Sequence, residues 1–168
     1  MTKQILKLTL LSACLCLHGF AADAFPRLSG ETLEGKAIVL PDALKGKHAL
    51  LIVSFSRSAE EQTKAWGEKL KQRSTPVERY QVLELEDVPR FFRGMAKSGI
   101  RKGIPTDRQA TFFLFFEGQD ALKKVTHFQK DNEAYVLLLD QAGQVVWQEH
   151  GAADDAKLDT LARQLPKK

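Results

Sequence analysis

Sulfur is scarce in this chain. Its 168 residues include two cysteines and two methionines. Both cysteines, Cys14 and Cys16, sit in the apolar run Leu8–Leu17 near the N-terminus. No apolar run reaches the roughly 20 residues that a helix needs to cross a bilayer, which argues against a membrane span. The four histidines share no metal-ligand spacing, so no metal centre is expected. There is no phosphate loop, dinucleotide fingerprint or Ser–His–Asp order, and no cofactor is expected. Charge of one sign is also in short supply. The formal net charge is only +4, without the concentrated basic face of a nucleic-acid binder, so no nucleic-acid partner is expected.

The N-terminus reads as a leader. Lys3 and Lys7 precede the apolar run LTLLSACLCL, and Ala22-Asp23-Ala24 is a small-x-small cleavage site. This is the pattern of a secretory signal peptide, residues 1–24, cut after Ala24. The mature protein is then 25–168, one domain, periplasmic or secreted. Cleavage removes both cysteines, so the mature chain can form neither a disulfide nor a thiolate. The second reading stays open: Leu11-Ser12-Ala13-Cys14 resembles a lipobox, which would anchor the protein by a lipid on Cys14.

The mature chain alternates strand and helix patterns. Phe25–Gly35 reads as an irregular lead-in, followed by a short strand at 36–40. His48–Ser56, HALLIVSFS, is continuously apolar, the mark of a strand buried on both faces. Ser58-Ala59-Glu60-Glu61 has capping-box form and predicts a helix over 58–73, with Ser58 accepting from the Glu61 amide. Residues 80–85 predict a strand. Pro89 then suits a helix start, with Gly99 ending the helix. In that helix Val88, Phe91, Phe92 and Met95 form the expected inward stripe, and Arg90, Arg93 and Lys97 face away. A loop over 100–110, a strand at 111–116, a helix at 121–128, a hairpin over 134–149 and a closing helix at 153–165 complete the chain. Strands alternating with helices predict parallel pairing, with antiparallel strands added by the terminal hairpin.

That order resembles the thioredoxin-like fold, an α/β architecture with a central mixed sheet flanked by helices, here with the inserted strand–helix unit of peroxiredoxins and exported thioredoxin-like reductases. In those families a buried strand ending in Phe leads to active-site cysteines at a helix start, and a cis-proline precedes a later strand. Here Phe55 is followed by Ser56-Arg57-Ser58-Ala59, and Ala134 stands near the proline's place. A narrower resemblance covers nearly all of the mature chain. Phe25-Pro-Arg-Leu-x-Gly, Leu40-Pro-x-x-Leu44-x-Gly46-Lys47, Trp66, Asn132-x-x-Tyr135-Val136-x-Leu138-x-Asp140, Trp147 and Gly151-Ala152 resemble the assembly-factor family for the membrane sector of mitochondrial ATP synthase. Members of that family resemble cysteine-poor thioredoxin relatives that act as chaperones. The secretory leader departs from a family that acts inside mitochondria.

Two places carry the functional expectation. Arg57 and Ser58 occupy the corner that the resemblance assigns to redox chemistry, where a helix N-terminus could receive an anion or peptide. Arg90, Arg93, Arg101 and Arg108 belong to a basic stretch that could dock an acidic partner or an anionic membrane surface. For both, the plainer reading is a helix cap and a solvated face. The leading expectation is a non-redox binding or assembly factor for a protein or peptide client, membrane-associated in one version. No catalytic residue is expected in that case. The rival is a degenerate peroxidase- or transferase-like enzyme working through the Arg57/Ser58 corner.

Overall fold

The computed structural model describes residues 23–166. Its strands are β1 (Asp23–Ala24), β2 (Leu28–Thr32), β3 (Ala37–Leu40), β4 (Ala49–Ser54), β5 (Glu78–Glu84), β6 (Phe112–Phe115), β7 (Tyr135–Leu139) and β8 (Gln144–His150). Its helices are α1 (Glu60–Gln72), α2 (Arg93–Gly103), α3 (Gln119–Val125) and α4 (Asp155–Gln164). The strands form one sheet in the order β1-β8-β7-β4-β5-β6-β2-β3.

β4 lies inside this sheet with every side chain buried, as its unbroken apolar run requires. β4, β5 and β6 run parallel, while β7 and β8 are antiparallel additions on the other side. The expected mixed thioredoxin-like sheet is therefore present. Register distributes the core. Leu51 and Val53 pair with Tyr80 and Val82 and pack with Leu122 and Val125 of α3. Leu50 and Ile52 point the other way, into Trp66 and Leu70 of α1 and Leu158 and Leu161 of α4. Farther along that same face, Phe112 and Leu114 pack against Ile100 and Ile104 at the C-terminal end of α2. Each fully buried side chain of this size contributes about 1.5–3 kcal/mol.

Three expectations change. The lead-in is not irregular throughout: Leu28–Thr32 forms β2, paired with both β3 and β6. Its Gly and Ser have poor strand propensity, which hides it in the sequence. Gly30 is required there, because a Cβ would come within 2.5 Å of the Leu114 carbonyl oxygen and 2.8 Å of the Phe115 ring. Helix α2 continues past Gly99 to Gly103. Ser58 does not cap α1: a 3-10 turn over Arg57–Ala59 intervenes, and Ser56 is the capping residue of that turn.

The β7–β8 turn follows its sequence signal. Gly143 takes φ +82°, with a Cβ position only 2.7 Å from Pro41, and Asp140 Oδ1 accepts from the amides of Ala142 and Gln144, each at 2.9 Å. Residues 1–22, with Cys14 and Cys16, lie outside the described residues. The expected cut after Ala24 falls at the end of β1, where Asp23 and Ala24 pair with Val145 and Gln144.

Candidate functional site

The corner between β4 and α1 is built from short polar side chains. Ser56 is extended, and its Oγ accepts from the Ser58 amide at 3.2 Å and donates to the Asp131 carbonyl at 2.8 Å. A hydroxyl has one proton to give. With that proton on Asp131, the contact between the two serine hydroxyls must be a donation from Ser58 to Ser56. Neither proton faces a base. Arg57 projects into solvent, its side chain 97% exposed, 3.8 Å from Glu60 Oε2. Lys64, with a smaller contribution from Arg57, holds the Glu60 carboxyl below the usual carboxylate range.

Aromatic packing fixes what lies behind this corner. Phe55 meets the edges of Phe128 and Tyr135 at 4.9 and 5.5 Å between centroids. The Tyr135 hydroxyl accepts from the amides of Gln129 and Lys130 and donates to the Lys130 carbonyl, all at 2.8 Å. Residues 129–131 are thereby strapped over the end of β4. His150 Nδ1 lies 2.8 Å from Glu133 Oε2. The backbone at Ala134, where the resemblance would place the docking proline, is used internally. Its N–H donates to Gln62 Oε1 at 3.1 Å, and its carbonyl accepts from Gly151 at 2.8 Å. Trp66 ties α1 to the same place by donating to the Gly151 carbonyl at 2.8 Å.

The basic stretch has the opposite orientation from the one expected. Arg93 donates to the carbonyls of Val88 and Phe116, each at 3.2 Å, and lies over the Phe116 ring at 4.8 Å. Lys97 pairs with Glu31 of β2 at 2.6 Å. Arg101 donates through Nε to the Leu33 carbonyl at 3.0 Å, with its second nitrogen on the same oxygen. These three cations, one turn apart, attach α2 to β2 and to the chain that leaves β2, β5 and β6. The supposed inward stripe faces solvent instead: Phe91 is 79% exposed, Met95 72% and Phe92 46%. Arg90 is exposed on the turn before α2, and Arg108 lies 5.7 Å over the Phe112 ring. The sites named from sequence thus fall into three groups. Arg57 and Ser58 share the corner; Arg93 and Arg101 hold α2 down; Arg90 and Arg108 flank it.

Sequence reasoning missed the outward apolar patch. The available signal was a second stripe at helical spacing, Arg93, Lys97 and Arg101. With β2 unrecognised, nothing in the sequence indicated that Glu31 and the Leu33 carbonyl would face it.

The corner lies where the thioredoxin-like fold begins its first helix, and its residues Ser56 to Glu61 carry no sulfur; the sheet and helices define a thioredoxin-like fold. Solved structures agree on the fold. A Sco-family cytochrome c oxidase assembly protein, BsSco, superposes with a TM-score of 0.58 at 13% identity, covering 85% of this chain and 92% of that one. Yeast Sco1 gives 0.57 at 15% identity, covering 89% and 100%. The exposed lipoprotein thioredoxin Etrx1 of Streptococcus pneumoniae gives 0.56 at 15% identity, covering 83% and 100%. No curated protein matches the chain in sequence. The family described as ATP10 protein matches residues 18–167, and the chain belongs to it. This is the ATP synthase assembly family that the sequence motifs resemble.

Proposed function

We propose that this protein is an exported assembly factor that holds a protein or peptide client without a covalent step. The observation that carries the reading is the β4–α1 corner. A redox thioredoxin needs a thiolate stabilised at this helix start. Here Ser58 bonds to Ser56, which in turn donates to the Asp131 carbonyl, and the neighbouring Ala134 backbone is closed by Gln62 and Gly151. Membership of an assembly family supports a holding role. The enzyme reading needs a base for Ser58 or an acceptor site at Arg57. Among the described residues, the Ser58 hydroxyl bonds only to Ser56.

Insulin-reduction and peroxidase assays on the processed protein test the chemistry. The expected result is no turnover above a boiled control, and turnover overturns the proposal. Crosslinking in the native envelope tests the client, with a dominant protein adduct expected. Mass spectrometry of the mature N-terminus tests export. Phe25 as first residue is expected, and a lipid on Cys14 would replace the free form with a tethered one.

A further inference from the structure

We infer that the outer face of α2 is a docking surface for an anionic lipid bilayer, with Phe91, Phe92 and Met95 entering the headgroup region. The inference rests on the orientation of α2 and is independent of the client reading.

Exposed aromatic side chains in a cluster need an explanation that isolated ones do not. Phe91 and Phe92, in the 3-10 turn that leads into α2, lie against each other with centroids 4.3 Å apart, and Met95 stands exposed in the first turn of α2, four residues after Phe91. α2 has no buried residue. The helix could have turned this stripe inward, and instead its cations occupy the inner side. The orientation is held by Arg93, Lys97 and Arg101 through the contacts already described.

The occupant follows from shape and charge. Phe91 and Met95 are too exposed to have walls around them, so the patch protrudes. Protruding apolar groups suit insertion into an interface, whereas small ligands are taken into concave sites. Lys102 lies two turns beyond Met95 on the same face, and Arg90 adjoins Phe91. Neither forms an ion pair among the described residues. From Pro89 to Thr111 the sequence has one acid, Asp107, against Arg90, Arg93, Lys97, Arg101, Lys102 and Arg108. Apolar side chains flanked by cations complement a surface of anionic headgroups over a hydrocarbon layer. No helix among the described residues is long and apolar enough to cross a membrane, so the contact is one of lying on the bilayer.

The test is co-sedimentation of the processed protein, purified from cells expressing the full chain, with vesicles of phosphatidylcholine alone or with one quarter phosphatidylglycerol. Binding is expected only to the phosphatidylglycerol vesicles and should weaken with added salt. The triple change Phe91→Ser, Phe92→Ser, Met95→Ser should lower partitioning by about tenfold or more. The double change Arg90→Gln, Lys102→Gln should lower it by several-fold. A second readout avoids any folding defect: Met95→Cys carrying an environment-sensitive fluorophore should shift to the blue on these vesicles, while Gln72→Cys should not. Equal binding by wild type and the triple variant overturns the inference, as does an unshifted label at position 95. So does a dimer, or capture of a protein, that the triple change abolishes while vesicle binding stays the same.

Discussion

The corner at the start of α1 and the helix α2 are both polar, helical and adjacent to the sheet, but they treat their side chains in opposite ways. At the corner, the serine hydroxyls, the Ala134 backbone and the Tyr135 hydroxyl all bond within the protein, and Trp66 is fully buried beneath. At α2 the cations Arg93, Lys97 and Arg101 face the body beside Ile100, while Phe91, Phe92 and Met95 at its N-terminal end face out. The corner sits where this fold's reductases are reactive, yet it is closed. α2 lies between β5 and β6, and the side chains at its N-terminal end are open to solvent. One scaffold can close one polar region and leave another exposed, because the two depend on different residues.

The comparison predicts unequal responses to mutation. The largest is at Trp66, which fills the space under α1 and gives its indole N–H to Gly151. Trp66→Ala should cost about 3–5 kcal/mol in urea unfolding, with α1 amides losing exchange protection. Next comes the attachment of α2. Arg93→Ala with Arg101→Ala removes the bonds to Val88, Phe116 and Leu33. It should cost about 1–3 kcal/mol and raise protease cleavage within 93–103 while the β4 amides stay protected. If β4 is deprotected equally, α2 is not a separate unit.

The third separates two serines. Ser56→Ala removes the cap and the Asp131 bond and should lower stability by about 1 kcal/mol. Ser58→Ala, on an exposed side chain, should stay within about 0.5 kcal/mol. Equal losses would restore Ser58 as the cap.

The fourth depends on pH and concerns the strand end that leads to α2. Burial pushes the Glu84 carboxyl above its ordinary range, against bonds from Gln119 and the Glu86 amide. A carboxyl raised in the folded state binds its proton more tightly there than in the unfolded chain. Its penalty is absent below the unfolded value, grows as pH rises through the window between the two values, and is complete above the folded one. Glu84→Gln should therefore gain stability relative to wild type as pH rises from the ordinary carboxylate range toward neutrality. A pH-independent difference would show that Glu84 is not desolvated. The smallest effect is expected on the open face, where Phe91→Ser and Met95→Ser should each change the unfolding free energy by no more than about 0.5 kcal/mol.

Much of this was readable from the residues. Continuous runs such as Ala49–Ser54 and Tyr135–Leu139 declare buried strands whatever surrounds them, since nowhere else can so many apolar side chains leave water. Asp140 and Gly143 declare their turn, because the turn's own backbone requires them. The lack of cysteine after Cys16 also needs no structure. The rest was decided between distant segments. β2 exists because Gly30 can approach Leu114 and Phe115. Ser56 rather than Ser58 caps because its proton reaches Asp131, 75 residues away. α2 carried two stripes at helical spacing, one apolar and one cationic, and periodicity cannot rank them. Tertiary structure chose the cationic stripe for the inside, since Glu31 and the carbonyls of Leu33, Val88 and Phe116 wait there to be paired.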